Sequence, residues 1–130
     1  MIVYLATKTE FKSDILSNRI EEKILASFQG VLGSSVGERE LAAWRNSLPY
    51  MDRVLDDPDI PHDTGVAIEY NIPQTGKRID MILTGTNHDR QRTAVIVELK
   101  QWQKAAATGK DAIVSTFVGG REREMNHPSY

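Results

Sequence analysis

Three carboxylates and a lysine fall at spacings that could hold a cation and move a proton: Glu69 in VAIEYNI, Asp80 in RIDMILT, and Glu98 with Lys100 in AVIVELK. Each run is rich in Val and Ile and is bounded by turn residues, so the stretch from Val66 to Gln101 reads as three consecutive antiparallel strands. Pro73-Gln74-Thr75-Gly76 is a short hairpin loop, and Gly85 to Arg92 a longer polar one. Facing Ile72 against Lys77 sets Glu69 opposite Asp80, and facing Thr84 against Ala94 sets Asp80 opposite Glu98. Directly opposed residues share a sheet face, with Cβ atoms about 4.5–5.5 Å apart. Lys100, two residues past Glu98, projects from that face too. A slip of one residue in either hairpin would break the row.

Carboxylates placed side by side repel one another, so the row needs compensation from Lys100, from Lys77 and Arg78, or from a bound cation. Mg²⁺ prefers oxygen ligands in octahedral geometry and retains waters that can act as nucleophiles. The lysine would orient or help deprotonate such a water, or offset charge on a pentavalent phosphate. The alternative is a solvated sheet face decorated with ordinary charges.

The rest of the chain must position these residues. MIVYL reads as a short strand and Ala6 to Phe11 as a polar connection. Ile15, Ile20, Ile24, Leu25 and Phe28 form a helical stripe from Asp14 to Phe28, with Ser13 or Asp14 as N-cap and Gly30 as terminator. Gly30 to Gly37 is a linker; no GK[ST] follows its glycines, so it is no phosphate-binding loop. Leu41, Trp44, Leu48, Met51 and Leu55 mark the buried face of a second helix over residues 37–55, which Pro49 is expected to kink or divide. The acidic segment from Asp56 to Asp63 lacks EF-hand spacing and reads as a surface turn. Beyond a polar Ala/Lys stretch, Ala112 to Val118 reads as a fourth strand ending at Gly119-Gly120, and His127-Pro128-Ser129-Tyr130 as a helix start.

Composition restricts the function classes. The 130 residues are 40% hydrophobic and 26% charged, as in an ordinary single globular domain. The absence of cysteine excludes a disulfide framework, a thiol nucleophile and Cys-ligated zinc, and suits the cytoplasm. The longest apolar run is far short of a membrane span, and no signal peptide opens the sequence, so no membrane partner is expected. A net charge of −2 gives no global attraction to nucleic acid, which leaves local basic groups. These are Lys77 and Arg78 with His88, Arg90 and Arg92, and Lys104, Lys110, Arg121 and Arg123; each group also reads as a solvated loop. The three histidines lack HExxH spacing and there is no nucleophile elbow.

Ile79-Asp80 at a strand start, followed by Glu98-Leu99-Lys100 ending the next strand, resembles the PD-(D/E)XK nuclease signature, with Ile79 where the signature has Pro. The longer run IEYNIPQTGKRIDMILTG…VIVELKQW resembles the nuclease-like N-terminal domain of bacterial Schlafen-related P-loop helicases, and a looser likeness extends over residues 34–130. The resemblance implies an α/β (α+β) restriction-endonuclease-like core, a mixed, mainly antiparallel sheet flanked by helices. It implies one nuclease-like domain over residues 1–130, with 1–33 an N-terminal strand and helix extension. In those helicases HPSY opens a helix that leads to a further strand and the motor, so the core is expected to be truncated at its C-terminus. No Walker A sequence is present.

The resemblance also implies Mg²⁺ or Mn²⁺ held by Asp80, Glu98 and the Leu99 carbonyl, with Glu69 and a first-helix glutamate completing the site. Glu40 is the match for that glutamate and Glu38 its competitor; an acid near a helix N-terminus also simply complements the helix dipole. Lys100 would position the attacking water, and Gln101 would assist or be plain edge polarity. Lys77 and Arg78 would meet phosphates. Trp102 would stack on a base, or serve as a core or lid aromatic. The expected activity is hydrolysis of phosphodiester bonds, in DNA more than RNA, in phage defence or DNA processing with a helicase. A silent nucleic-acid-binding or assembly module, and a subunit that cuts only with its motor, are the other readings. An uncovered sheet edge would favour a homodimer.

Overall fold

The computed structural model describes residues 2–33, 36–100, 102 and 104–127. Its contacts divide the chain into two compact units, residues 1–99 and 100–130. The architecture is α+β.

In the first unit β1 (Ile2–Thr7) is followed by α1 (Lys8–Leu16), α2 (Ile20–Leu32) and α3 (Glu38–Leu55), and then by β2 (Gly65–Asn71), β3 (Arg78–Thr86) and β4 (Arg92–Val97). The sheet runs β1-β2-β3-β4, and every one of these pairings is antiparallel, where a mixed sheet was expected. Residues 2–33, expected as an extension, supply an edge strand and two helices to the core. Val3, Tyr4, Phe11, Ile20, Ile24 and Phe28 are buried in one cluster with Trp44, Leu48, Met51 and Leu55 of α3 and with Val66, Ile68 and Met81 of the sheet.

The expected helix over residues 14–28 is two helices. Thr7 caps α1 in a reciprocal capping box with Glu10, starting the helix six residues before the apolar stripe suggests. The chain breaks after Leu16, Asn18 takes φ +54°, and α2 ends at a left-handed Gly33, not at Gly30. Asp14 caps nothing. It is 2% exposed and accepts the Tyr4 hydroxyl at 2.8 Å and Lys23 Nζ at 2.7 and 2.8 Å. Arg45 pairs in bidentate fashion with Glu21, tying α3 to α2.

Pro49 does not divide α3, which runs unbroken from Glu38 to Leu55. Proline forfeits one backbone bond, and the buried face of Trp44, Leu48, Met51 and Leu55 on both sides of it holds the helix together. The acidic segment after α3 is an exposed turn, as read. Lys12 pairs with Asp56, and the buried Lys8 ammonium holds the turn by donating to the carbonyls of Asp57 and Ile60. Among the described residues no helix is long and apolar enough to cross a membrane.

The second unit is a three-stranded antiparallel sheet, β5 (Ala105–Ala107), β6 (Ile113–Val118) and β7 (Arg121–Asn126), in that order. β6 is the expected fourth strand. Gly119 and Gly120, at φ +62° and +79°, make the turn that folds β7 back on it. β5 lay hidden in the polar stretch and β7 in a charged run without apolar alternation. Residues 128–130 of the expected terminal helix lie outside the described residues; the His127 N–H donates to the Ala112 carbonyl.

Candidate functional site

Both hairpins adopt the register that sets the carboxylates in line. Ile68 pairs with Met81 and Tyr70 with Ile79, so Glu69 falls opposite Asp80; Met81 pairs with Val97 and Thr84 with Ala94, so the next step brings Glu98 toward Asp80. The row is not a flat ladder, however. The Glu69–Asp80 step is absent from the β2–β3 pairing, and β4 closes at Val97, one residue before Glu98.

The reason lies in the backbone of Glu69, which takes φ +55° within a strand. A residue other than glycine in that region costs about 1–3 kcal/mol and persists only where its surroundings over-determine it. Strand neighbours normally point to opposite faces, yet Ile68 and Glu69 are both buried, at 1% and 6% exposure. The left-handed residue turns the Glu69 carboxylate to α3, where Oε1 accepts the indole Nε1–H of Trp44 at 2.9 Å. Oε2 is sealed from solvent and makes no hydrogen bond, although Arg78 Nη1 lies 3.1 Å from it as an ion pair. The same Nη1 donates to Oε1 of Glu40. One guanidinium thus joins the α3 glutamate to the β2 glutamate.

Burial is the largest influence on Glu69 and pushes its carboxyl above the ordinary range. The Trp44 hydrogen bond and the Arg78 charge oppose that push, and the nearby charges of Glu40 and Asp80 add to it. Asp80 is half-buried, and its Oδ2 accepts the Leu99 N–H at 2.8 Å. This bond takes over where the ladder stops. It fixes the segment Glu98-Leu99 beside β3, and Leu99 packs against the core. Glu98 is exposed.

Of the residues read from the sequence, Glu40, Glu69, Arg78 and Asp80 are brought together, with the Glu98-Leu99 backbone held against Asp80. Glu38, the competitor of Glu40, is exposed. For Leu99 the group seen engaged is the N–H, where a carbonyl ligand was expected. Lys77 is exposed on the first hairpin. Arg78, read as a phosphate contact, is instead held by two carboxylates. Lys100 falls in the second unit, outside any strand. Trp102 is half-buried in that unit, and Gln101 lies outside the described residues. Sequence reasoning missed Trp44, which it placed only in the core; its four-residue spacing from Glu40 on α3 was the available signal.

Among the described residues no group of three or more His, Asp or Glu side chains is gathered closely enough to hold a metal ion. Compared with protein-family models, with curated proteins and with solved structures, the chain matches none.

Proposed function

We propose that the chain is a Mg²⁺- or Mn²⁺-dependent nuclease that hydrolyses phosphodiester bonds of nucleic acid, DNA in preference to RNA. The observation that carries this reading is the Asp80 Oδ2 bond to the Leu99 N–H, which sets the Glu98 segment against Asp80 at the end of two in-register hairpins. A carboxylate held to the backbone beside a second carboxylate is what the ExK resemblance calls for.

Glu40, Glu69, Asp80 and Glu98 are all oxygen donors, the type a hard divalent cation takes. As they stand, no three of them are close enough to share one, and Oε2 of Glu69 already faces Arg78; binding would have to draw the set together. Asp80, Glu98 and the Leu99 carbonyl would hold the cation, with Glu69 and Glu40 completing or tuning the set. A bound Mg²⁺ or Mn²⁺ supplies Lewis-acid polarisation of the phosphate and a lowered water pKa. Lys100, assigned from the sequence signature alone, would orient the attacking water and offset charge on the phosphate, with Gln101 assisting. Lys77 would meet phosphate oxygens, and Trp102 would stack on a base.

A second reading is favoured by Arg78. Its guanidinium is already the counter-ion of Glu40 and Glu69, which suits a module that binds nucleic acid or a helicase partner without cutting it. Incubation with single- and double-stranded DNA and RNA, with Mg²⁺, Mn²⁺ or EDTA, separates the two. The nuclease reading expects cutting that EDTA stops, and the silent module expects intact substrate in every lane from folded protein.

A further inference from the structure

β4 is an edge strand. Among the described residues it has one ladder partner, β3, and lies at the end of the four-stranded sheet. Natural edges are usually guarded by proline, a bulge, or a lysine in mid-strand. Thr93-Ala94-Val95-Ile96-Val97 has none of these, and Val95 and Ile96 are 57% and 66% exposed. From Arg92 to Glu98 the charges stand at the two ends, Arg92 at the start of the strand and Glu98 just past its finish.

We infer that β4 pairs antiparallel with β4 of a second copy of this chain, with Val95 on the two-fold axis, so that two four-stranded sheets become one. In this register Arg92 faces Glu98 of the second copy at both ends, Ala94 faces Ile96, and Thr93 faces Val97. Ala94 meets the larger Ile96, the β-branched Thr93 meets Val97, and each charge meets its opposite. Neighbouring registers lose this match. Centring on Ile96 sets Arg92 against Lys100, and centring on Ala94 sets Arg92 against Ile96. The opposite edge, β1, contains no charged residue and offers no comparable pair to fix a register. The inference shares Glu98 with the proposed metal site, but its test reads mass and not cleavage, so either reading can fail without the other.

The test is the solution mass of the full 130-residue chain through a dilution series, by light scattering or sedimentation. The pairing predicts a mass that climbs with concentration toward twice 14.6 kDa. Val95→Lys, Arg92→Glu and Glu98→Arg should each hold the chain at monomer mass with an unchanged circular dichroism spectrum. The charge-swapped double variant Arg92→Glu/Glu98→Arg should regain the dimer, a rescue that no merely structural effect of either change produces. Three outcomes would overturn the inference: a monomer at every concentration, a monomer whose β4 amides resist hydrogen exchange because the same chain covers the edge, or a dimer that survives Val95→Lys and both single charge changes.

Discussion

The guanidinium of Arg78 lies between Glu40 and Glu69, 3.1 Å from a Glu69 oxygen that is buried and accepts no hydrogen bond. A helix glutamate and a strand glutamate, 29 residues apart in sequence numbering, therefore share one positive charge. Arg78 is partly exposed, which moderates the worth of the pairing.

Arg78→Ala should destabilise the fold by about 1–2 kcal/mol at neutral pH, less than a fully buried pair would lose because solvent reaches the guanidinium. The sign of its pH dependence follows from Glu69. Its carboxyl is raised in the fold, so the folded state holds that proton more tightly than the unfolded chain does. Stability from this group is greatest below the unfolded value and declines as pH rises through the folded one. Without Arg78 that decline should steepen. Urea unfolding at mildly acidic and mildly basic pH should show a wider gap between variant and wild type on the basic side, and an equal gap would remove Arg78 as the counter-ion.

Trp44→Phe removes the indole donor to Oε1 of Glu69 and should cost about 1–3 kcal/mol, the penalty for stripping a partner from a buried charged acceptor. Combined with Glu69→Met, which removes the acceptor as well, the two losses should fall short of additive. Strict additivity in a double-mutant cycle would show that the indole and the carboxylate do not interact.

Asp14 makes the opposite pH prediction. Burial works against its charge, but the Lys23 and Tyr4 hydrogen bonds and the charges of Lys23 and Arg19 outweigh it and hold the carboxyl below the usual range. Its stabilisation is present above the unfolded value and disappears as pH falls through the folded one. Asp14→Asn should lose about 1.5–3 kcal/mol near neutral pH and converge with wild type in acid. Curves that stay parallel into acid would contradict the assignment.

How far the sequence revealed the site depended on the kind of information each residue carried. The two hairpins were legible because short loops and runs of Val and Ile leave few registers, and both adopt the expected one. The left-handed Glu69 was not legible, because nothing in IEYN marks a positive φ. The place of Arg78 was hidden with it, since its guanidinium meets the turned Glu69 as well as Glu40 of α3. α1 was missed because its capping box, Thr7 to Glu10, precedes the apolar stripe that drew attention. β7 was missed because REREMN is exposed along its whole length and shows no alternation.

The measurement that bears most directly on the proposed activity is cleavage of labelled DNA and RNA by wild type, Asp80→Asn and Glu98→Gln, each shown to be folded, with Mg²⁺ or Mn²⁺ and with EDTA. Wild type should cut only with metal. Both variants should cut more than about 100-fold more slowly, since losing a ligand exceeds the roughly 10–100-fold cost of losing an outer partner. Cutting by Asp80→Asn at the wild-type rate, or no cutting by folded wild type with either metal, would contradict the proposal.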